Sequence, residues 1–125
     1  MNFMNYEDLK IYQLARKLRD ELHKELKMIP HYWSIDDVKQ VLDSSSSAVA
    51  NIVEGHGRKF YPRDNYRFLN ISMASSDETQ NHIIVLTSDG YINEIRGNYF
   101  KTKFKTLSIL TLKYMNWIRK KYNLK

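Results

Sequence analysis

The residues that could catalyse a reaction are concentrated in segment 50–58, which reads ANIVEGHGR. Glu54 could act as a general base with His56 as its partner, because carboxylates and imidazoles are common proton-transfer groups. In a structural interpretation, Glu54 and the amide of Asn51 satisfy backbone groups near a helix end. Gly55 and Gly57 then supply left-handed backbone positions that stop the helix. We favour the structural interpretation, so no catalytic residue is predicted.

Glu78 and His82 are four residues apart, a spacing that places both side chains on one helical face and could supply two metal ligands. A bundle metal site needs further ligands from other helices. The chain has no acidic residue after Glu94, and Glu21 and Glu25 near the N-terminus are expected to be exposed. We therefore assign Glu78 a structural role and predict neither a metal nor another cofactor.

Basic and aromatic residues alternate just after this segment. Arg63 and Arg67 share a helical face, and guanidinium groups pair with phosphates while exposed rings stack on unpaired bases. Aromatic residues at a helix hairpin can equally be core anchors. The candidate residues are Arg58, Lys59, Phe60, Tyr61, Arg63, Tyr66 and Arg67.

The charge of the chain is unevenly distributed. The formal net charge is +6, but residues 95–125 hold nine Lys or Arg and no acid, whereas residues 1–94 hold eleven against fourteen acids. This asymmetry favours a polyanionic partner or an acidic protein surface, although a solvated helix face with unpaired lysines is the alternative. The candidate phosphate-binding residues in this last segment are Lys101, Lys105, Lys113, Arg119, Lys120 and Lys121.

Composition limits the remaining function classes. The chain of 125 residues contains no Cys, which excludes disulfides, thiolate metal sites and cysteine nucleophiles. It contains no sequence motif of a Ser-His-Asp catalytic triad, no Gly-rich phosphate-binding loop and no dinucleotide-binding fingerprint. The N-terminus lacks the pattern of a signal peptide, so a cytoplasmic, non-enzymatic protein without a membrane span is expected.

Helical periodicity organises the chain around these residues. Four apolar stripes predict an all-α, antiparallel up-and-down four-helix bundle in a single domain, residues 1–125, with helices at about 6–28, 34–56, 62–89 and 94–122. The first stripe is Ile11, Ala15, Leu18, Leu22, Leu26 and Ile29, and the second is Val38, Leu42, Ser45, Val49 and Ile52. The third is Leu69, Met73, Ser76, Gln80, Ile83 and Thr87, widened by Tyr66, Phe68, Ile71, Ile84 and Leu86. The fourth is Phe100, Phe104, Leu107, Thr111, Tyr114 and Ile118.

Local signals mark the ends of these helices. Asn5 and Ser34 are predicted to cap the first two helices, Pro62 fits the first turn of the third, and Gly90 ends it. The polar run Ser44 to Ser47 is predicted to stay helical, because small side chains let neighbouring helices approach closely. Apolar residues off the stripes, including Ile109, Leu112 and Trp117, predict self-association.

The chain resembles a known bacterial family. The run Asn51-Ile52-x-Glu54-Gly55-x-Gly57-Arg58, then Phe68-Leu69-x-Ile71, Ser75, Glu78 and Gly90-Tyr91-Ile92, is similar to the four-helix-bundle proteins first noticed as reading frames in 23S ribosomal RNA intervening sequences. The resemblance spans nearly the whole chain. Where many members carry paired arginines and a proline in the second helix, this chain has Leu42, Asp43 and Val49.

The resemblance implies a four-helix protomer that assembles into a closed, ring-like homopentamer. It also implies a relationship to accessory proteins of diversity-generating retroelements, which bind a reverse transcriptase and nucleic acid. Together with the basic last segment, it predicts a non-enzymatic oligomer that binds RNA or DNA through phosphate contacts. The alternative is a protein-interaction scaffold that docks an acidic partner such as a reverse transcriptase.

Overall fold

Four amphipathic helices account for most of the residues that the computed structural model describes, which are residues 5–125. The helices are α1 (Lys10–Leu26), α2 (Asp36–Gly57), α3 (Pro62–Ser88) and α4 (Glu94–Lys121). Residues 1–4, on which the expectation of no signal peptide partly rests, lie outside this range. Short loops join the helices, so consecutive helices are antiparallel, and α4 packs against α1 as well as α3. The predicted all-α four-helix bundle is confirmed, with no strand in the described range.

The core is formed by the apolar stripes and is most regular on α1 and α4. The first five predicted positions of α1, from Ile11 to Leu26, are buried, and the predicted positions of α4 are buried except for Tyr114, which is half-buried. None of the four helices is both long and apolar enough to span a membrane.

The buried faces of α2 and α3 are rotated from the prediction. Leu42 and Val49 are only half-buried, whereas Val41 and Ala48 are completely buried. Each of these helices packs between two neighbours, so its buried face is broader than one apolar stripe and includes hydroxyl-bearing residues. Ile71 and Ile84, which were predicted to widen the inner face of α3, are instead 38% and 45% exposed.

The polar run of α2 remains helical, as predicted, and its hydroxyls pair with α3. Ser44 Oγ lies 2.7 Å from Thr79 Oγ1, and Ser47 Oγ lies 2.8 Å from Ser75 Oγ. Ser72 donates a 2.6 Å hydrogen bond to the carbonyl oxygen of residue 48. Because each of these hydroxyls has a partner, their burial avoids the penalty for unpaired polar groups, while the small side chains bring the two helices close together.

Neither predicted N-terminal cap begins an α-helix, because Asn5 is the N-cap of a 3-10 turn and Ser34 lies inside another. Residues 6–8 form a separate 3-10 turn, and the extended backbone of Leu9 (φ −70°, ψ 128°) delays the start of α1 to Lys10. Likewise, Ser34 belongs to a 3-10 turn in which its hydroxyl donates to the His31 carbonyl at 2.7 Å, so α2 begins at Asp36. In both places a local turn satisfies the backbone groups that were expected to start the helix.

The predicted ends near α3 are confirmed. Pro62 is the first residue of α3, and Gly90 follows its last turn with a left-handed φ of 84°. The N–H of Tyr91 donates to the Leu86 carbonyl at 2.9 Å, which completes a Schellman motif. The next helix is capped by Asn93, whose side chain accepts from the Arg96 N–H at 2.8 Å.

Candidate nucleic-acid interface

The predicted cations between α2 and α3 lie at the same end of the bundle as the last three predicted cations of α4. In an up-and-down bundle the end of α2, the start of α3 and the end of α4 all meet at one end. A surface cleft there is lined on one side by residues 60–64 and on the other by Tyr122, Asn123 and Leu124. We refer to the surrounding cations as the basic end: Arg58, Lys59, Arg63, Arg67, Arg119, Lys120 and Lys121.

Two arginines of the basic end flank one aromatic ring. The guanidinium carbon of Arg58 lies 4.8 Å from the Phe68 ring centroid, and that of Arg67 lies 4.7 Å from the same centroid. Arg58 also lies 3.6 Å from the Glu54 carboxylate, which neutralises part of its charge. Arg67 has no ion pair within residues 5–125, so its charge is available to a ligand. The ring restricts both guanidinium groups to its vicinity, which lowers the entropy lost on binding an anion.

The last turn of α4 carries three exposed cations, Arg119, Lys120 and Lys121. A helix C-terminus favours cations through its dipole, which by itself accounts for their position. The ammonium of Lys121 also lies 4.7 Å from the Trp117 ring centroid and 5.4 Å from that of Tyr122.

The backbone beyond α4 holds Tyr122 in place. Asn123 is left-handed (φ 53°), and the N–H of Leu124 donates to the Arg119 carbonyl at 2.9 Å. This is the Schellman geometry, and Leu124 packs against the core. The chain after α4 is therefore folded back on the bundle, and Tyr122 lines the cleft.

Four large aromatic side chains are exposed around these cations. Phe60 is 63% exposed, Tyr61 68%, Trp117 52% and Tyr122 44%. Phe60 and Tyr61 belong to the predicted basic and aromatic pattern. Tyr122 was missed, because it lies beyond the last apolar stripe, at the C-cap of α4.

The other predicted lysines are dispersed along α4. Lys113 is seven residues before Lys120, so it lies on the same helical face about 10 Å away and extends the basic end along the helix. Lys101 is about 30 Å from Lys121 along the axis and lines a groove with Ile84, Ser88 and Glu94 at the opposite end. Lys105 is one turn from Lys101 and on the same side of α4, away from the basic end.

Glu78 and His82, whose spacing was considered for metal binding, both lie on α3, and His82 contacts the start of α2. His82 Nδ1 lies 3.1 Å from Asp37 Oδ1 at the start of α2, and its Nε2 lies 3.9 Å from Glu78 Oε1. No three His, Asp or Glu side chains in the described part of the chain are placed to ligate one metal ion. The structural role assigned to Glu78 is consistent with this arrangement.

Glu21 and Glu25 of α1 were expected to be exposed, and this was wrong. The Tyr99 hydroxyl donates to Glu21 at 2.7 Å, and Arg96 Nε donates to the two Glu25 oxygens at 3.0 and 3.1 Å. The hydrogen bond to Glu21 raises the pKa of Tyr99. Both carboxylates thus hold α1 against α4.

Comparison with known proteins identifies the family. A sequence profile of the 23S rRNA-intervening sequence protein family matches residues 7–112. The chain belongs to this family. A search of curated proteins finds no match. The profile covers the hairpin part of the basic end, whereas Arg119, Lys120 and Lys121 follow the matched region.

A solved member of the S23 ribosomal protein family has a similar fold. It is a protein of unknown function from Bacteroides thetaiotaomicron, with a TM-score of 0.78 and 19% sequence identity. The similarity covers 85% of this chain and 95% of that chain. At this identity the comparison establishes the shared bundle fold.

The central run of the family resemblance, residues 51–58, lies at the end of α2, where α2 meets α3. Asn51 donates to the Ser47 carbonyl at 2.9 Å, within α2. Gly55 is buried, and a Cβ there would lie 3.0 Å from Asn65 Oδ1. Gly57 is exposed with no atom near its Cβ position, and neither glycine has a positive φ, so their predicted left-handed role was wrong. Gly55 instead permits the close approach of α3.

Proposed function

We propose that this family member is a non-enzymatic accessory protein that binds RNA or DNA through phosphate contacts at the basic end. The observation that carries the proposal is that two cation clusters, separated by more than fifty residues in sequence, lie at one end of the bundle, where a cleft is lined by Arg63 and by exposed aromatic rings. Phosphates bind arginine and lysine through charge-assisted hydrogen bonds. The dipole of α4 accounts for cations in the last turn of α4, but it does not explain the arginines of the hairpin formed by α2 and α3.

The unpaired cations set the expected strength of this interaction. Arg63, Arg67, Arg119, Lys120 and Lys121 form no ion pair within residues 5–125, so each can neutralise a phosphate. Each phosphate contact lowers the slope of log affinity against log salt by about 0.7 for a single strand and about 0.9 for a duplex. Five contacts therefore correspond to a slope of about −3.5 to −4.5.

The test is a filter-binding titration with structured RNA over a range of salt concentrations. A triple variant, R119Q/K120Q/K121Q, should bind more weakly and lower the magnitude of the slope by about 2 to 3. The matched control is K24Q/K27Q/K101Q, which removes the same charge from exposed lysines at the opposite end of the bundle. Wild-type protein that does not bind even at low salt, or equal effects of the two variants, would refute the proposal.

A protein-interaction scaffold is the second candidate function. It is favoured by aliphatic side chains exposed on the outer faces of α3 and α4, namely Ile71, Ile84, Ile95, Ile109, Leu110 and Leu112. We propose that part of this surface joins copies of the chain in a homo-oligomer, as the family resemblance implies for a ring-like pentamer. The remainder, with the basic surface, would dock an acidic protein such as a reverse transcriptase.

Ile109 and Leu112 are one turn apart on the same side of α4 and are 47% and 42% exposed. The variant I109S/L112S should therefore shift the mass measured by light scattering from an oligomer to the 15.0 kDa protomer. A monomeric wild-type protein would refute self-association. A protein partner that is lost completely when cell extract is treated with nuclease would argue against the scaffold.

A further inference from the structure

The cleft at the basic end has walls of unlike chemistry. Tyr61 and Tyr122 contribute exposed phenol rings from two different parts of the chain, Arg63 contributes a cation, and Asp64 contributes a carboxylate. A surface that recognised only the phosphate backbone would need cations alone. The phenol rings and the carboxylate indicate contact with another part of a nucleotide.

Both aromatic walls are attached to an ordered backbone. The Tyr61 N–H donates to the Arg58 carbonyl at 2.8 Å, and the Tyr61 carbonyl accepts from the Asn65 N–H at 3.0 Å in the first turn of α3. The Tyr122 N–H donates to the Ile118 carbonyl at 3.0 Å. Since neither ring is attached to a free loop, the cleft does not have to form when a ligand binds, which reduces the entropic cost of binding.

The chemistry of the cleft favours a base over a phosphate. A phenol ring offers a stacking surface for any base, whereas the Asp64 carboxylate repels a phosphate and accepts hydrogen bonds from exocyclic amino groups. Arg63 is on the same wall and can bind the phosphate that follows the base. In a duplex the base faces are stacked on each other, so the rings could reach them only after unstacking.

We propose that the cleft binds an unpaired base of a single-stranded RNA or DNA segment, stacked on Tyr61 or Tyr122, with adjacent phosphates on the basic end. This inference rests on the proposed function and adds the structural class of the ligand. Single strands should bind more tightly than the duplex of the same sequence, in contrast to a purely electrostatic surface, which would favour the denser charge of the duplex.

The test is fluorescence anisotropy with a labelled single strand of about 12 nucleotides, within the range bound by small single-strand domains, and with the blunt duplex of the same sequence. Y122L and Y61L should each weaken single-strand binding by about 5- to 150-fold, the loss expected for one stacked base. Neither should change duplex binding or the salt slope. Y122F, which keeps a ring, should bind like the wild type.

The matched control is Y91L, the same substitution at a tyrosine that is 46% exposed at the opposite end of the bundle, compared with 44% for Tyr122. It should leave single-strand binding unchanged, and circular dichroism should show equal helix content in all variants. Equal affinity for single strand and duplex, or equal losses in Y91L and Y122L, would overturn the inference and leave nucleic-acid binding intact. Absence of binding to either ligand would overturn both proposals.

Discussion

Replacing Gly55 with alanine should disturb the packing that positions the hairpin half of the basic end. A Cβ at residue 55 would lie 3.0 Å from Asn65 Oδ1, 3.2 Å from the Asn65 carbonyl oxygen and 3.4 Å from Phe68 Cβ. The carbonyl belongs to the backbone of α3, so it cannot be relieved by rotating a side chain. We expect α2 and α3 to separate by a few tenths of an ångström in G55A.

The magnitude follows from two opposing effects. Alanine gains about 1 kcal/mol over glycine in a helix, whereas inserting a methyl group into a packed interface costs about 1–3 kcal/mol. Gly57 lies two residues further along α2 with no atom within 4 Å of its Cβ position. G57A should therefore gain helix propensity without the cost of inserting a methyl group into a packed interface. We therefore expect G57A to be more stable than G55A by about 1–3 kcal/mol.

Urea denaturation followed by circular dichroism measures both variants, and an unchanged m-value shows that the change is in stability. Because Phe68 lies between Arg58 and Arg67, G55A should also weaken nucleic-acid binding more than G57A does. Equal stability of G55A and G57A would refute the reasoning, since it would show that α3 does not depend on a glycine at residue 55.

Two further predictions concern other contacts between helices. A Cβ on the buried Gly97 would overlap Thr87 Oγ1 and lie 2.9 Å from Thr87 Cγ2, so G97A should lower the free energy of unfolding by about 1–3 kcal/mol. Urea denaturation should show partial recovery in T87A/G97A, and no recovery would contradict the proposed clash. Burial, followed by the charge of Arg19, lowers the pKa of His23, whose Nε2 lies 3.2 Å from the Leu42 carbonyl oxygen. The unfolded chain therefore binds a proton near pH 6.5 that the folded chain does not, so stability should fall as the pH drops below 6.5. Urea denaturation above and below that pH should show a smaller loss of unfolding free energy in H23Q than in the wild type. Equal losses in the two proteins would contradict the assignment to His23.

The helix count and most of the core could be predicted, because burial of an apolar side chain follows directly from its hydropathy. On α4 the apolar residues occupy one side, and Phe100, Phe104 and Ile118 are buried as expected. On α2 and α3 the buried face includes serines and Thr79. The burial of a hydroxyl depends on its partner on the next helix, which hydropathy does not encode, so the predicted faces were rotated.

The helix boundaries at Pro62 and Gly90 were predicted correctly, whereas the starts of α1 and α2 were placed too early. Pro62 and Gly90 act through the allowed conformations of their own backbone, so their effect is local and can be predicted from the sequence. Ser34 can either cap a helix or bond within a turn, and its hydroxyl bonds to the His31 carbonyl. The competing geometries differ little in energy, and the tertiary packing of the loop decides between them.

For the candidate interface, the sequence shows which residues are charged, but it does not show which of them lie together. The antiparallel topology places Arg63 and Lys121 at one end and Lys101 at the other, a distinction that a count of lysines in the last segment cannot make. Tyr122 lies at the C-cap of α4, beyond the last apolar stripe, so the stripes did not indicate it. The arrangement around the cleft thus depends on where each helix ends, which is the least reliable part of a sequence-based prediction.

The central claim is that the hairpin and the end of α4 form one interface. The most direct measurement is the salt dependence of binding to a single strand of about 12 nucleotides for R63Q/R67Q, K120Q/K121Q and the combined variant. Each pair should lower the magnitude of the slope by about 1.4, and the combined variant by about 2.8. A slope that changes in only one of the two double variants would contradict the claim. So would an equally large change in K24Q/K27Q, whose lysines lie at the opposite end of the bundle.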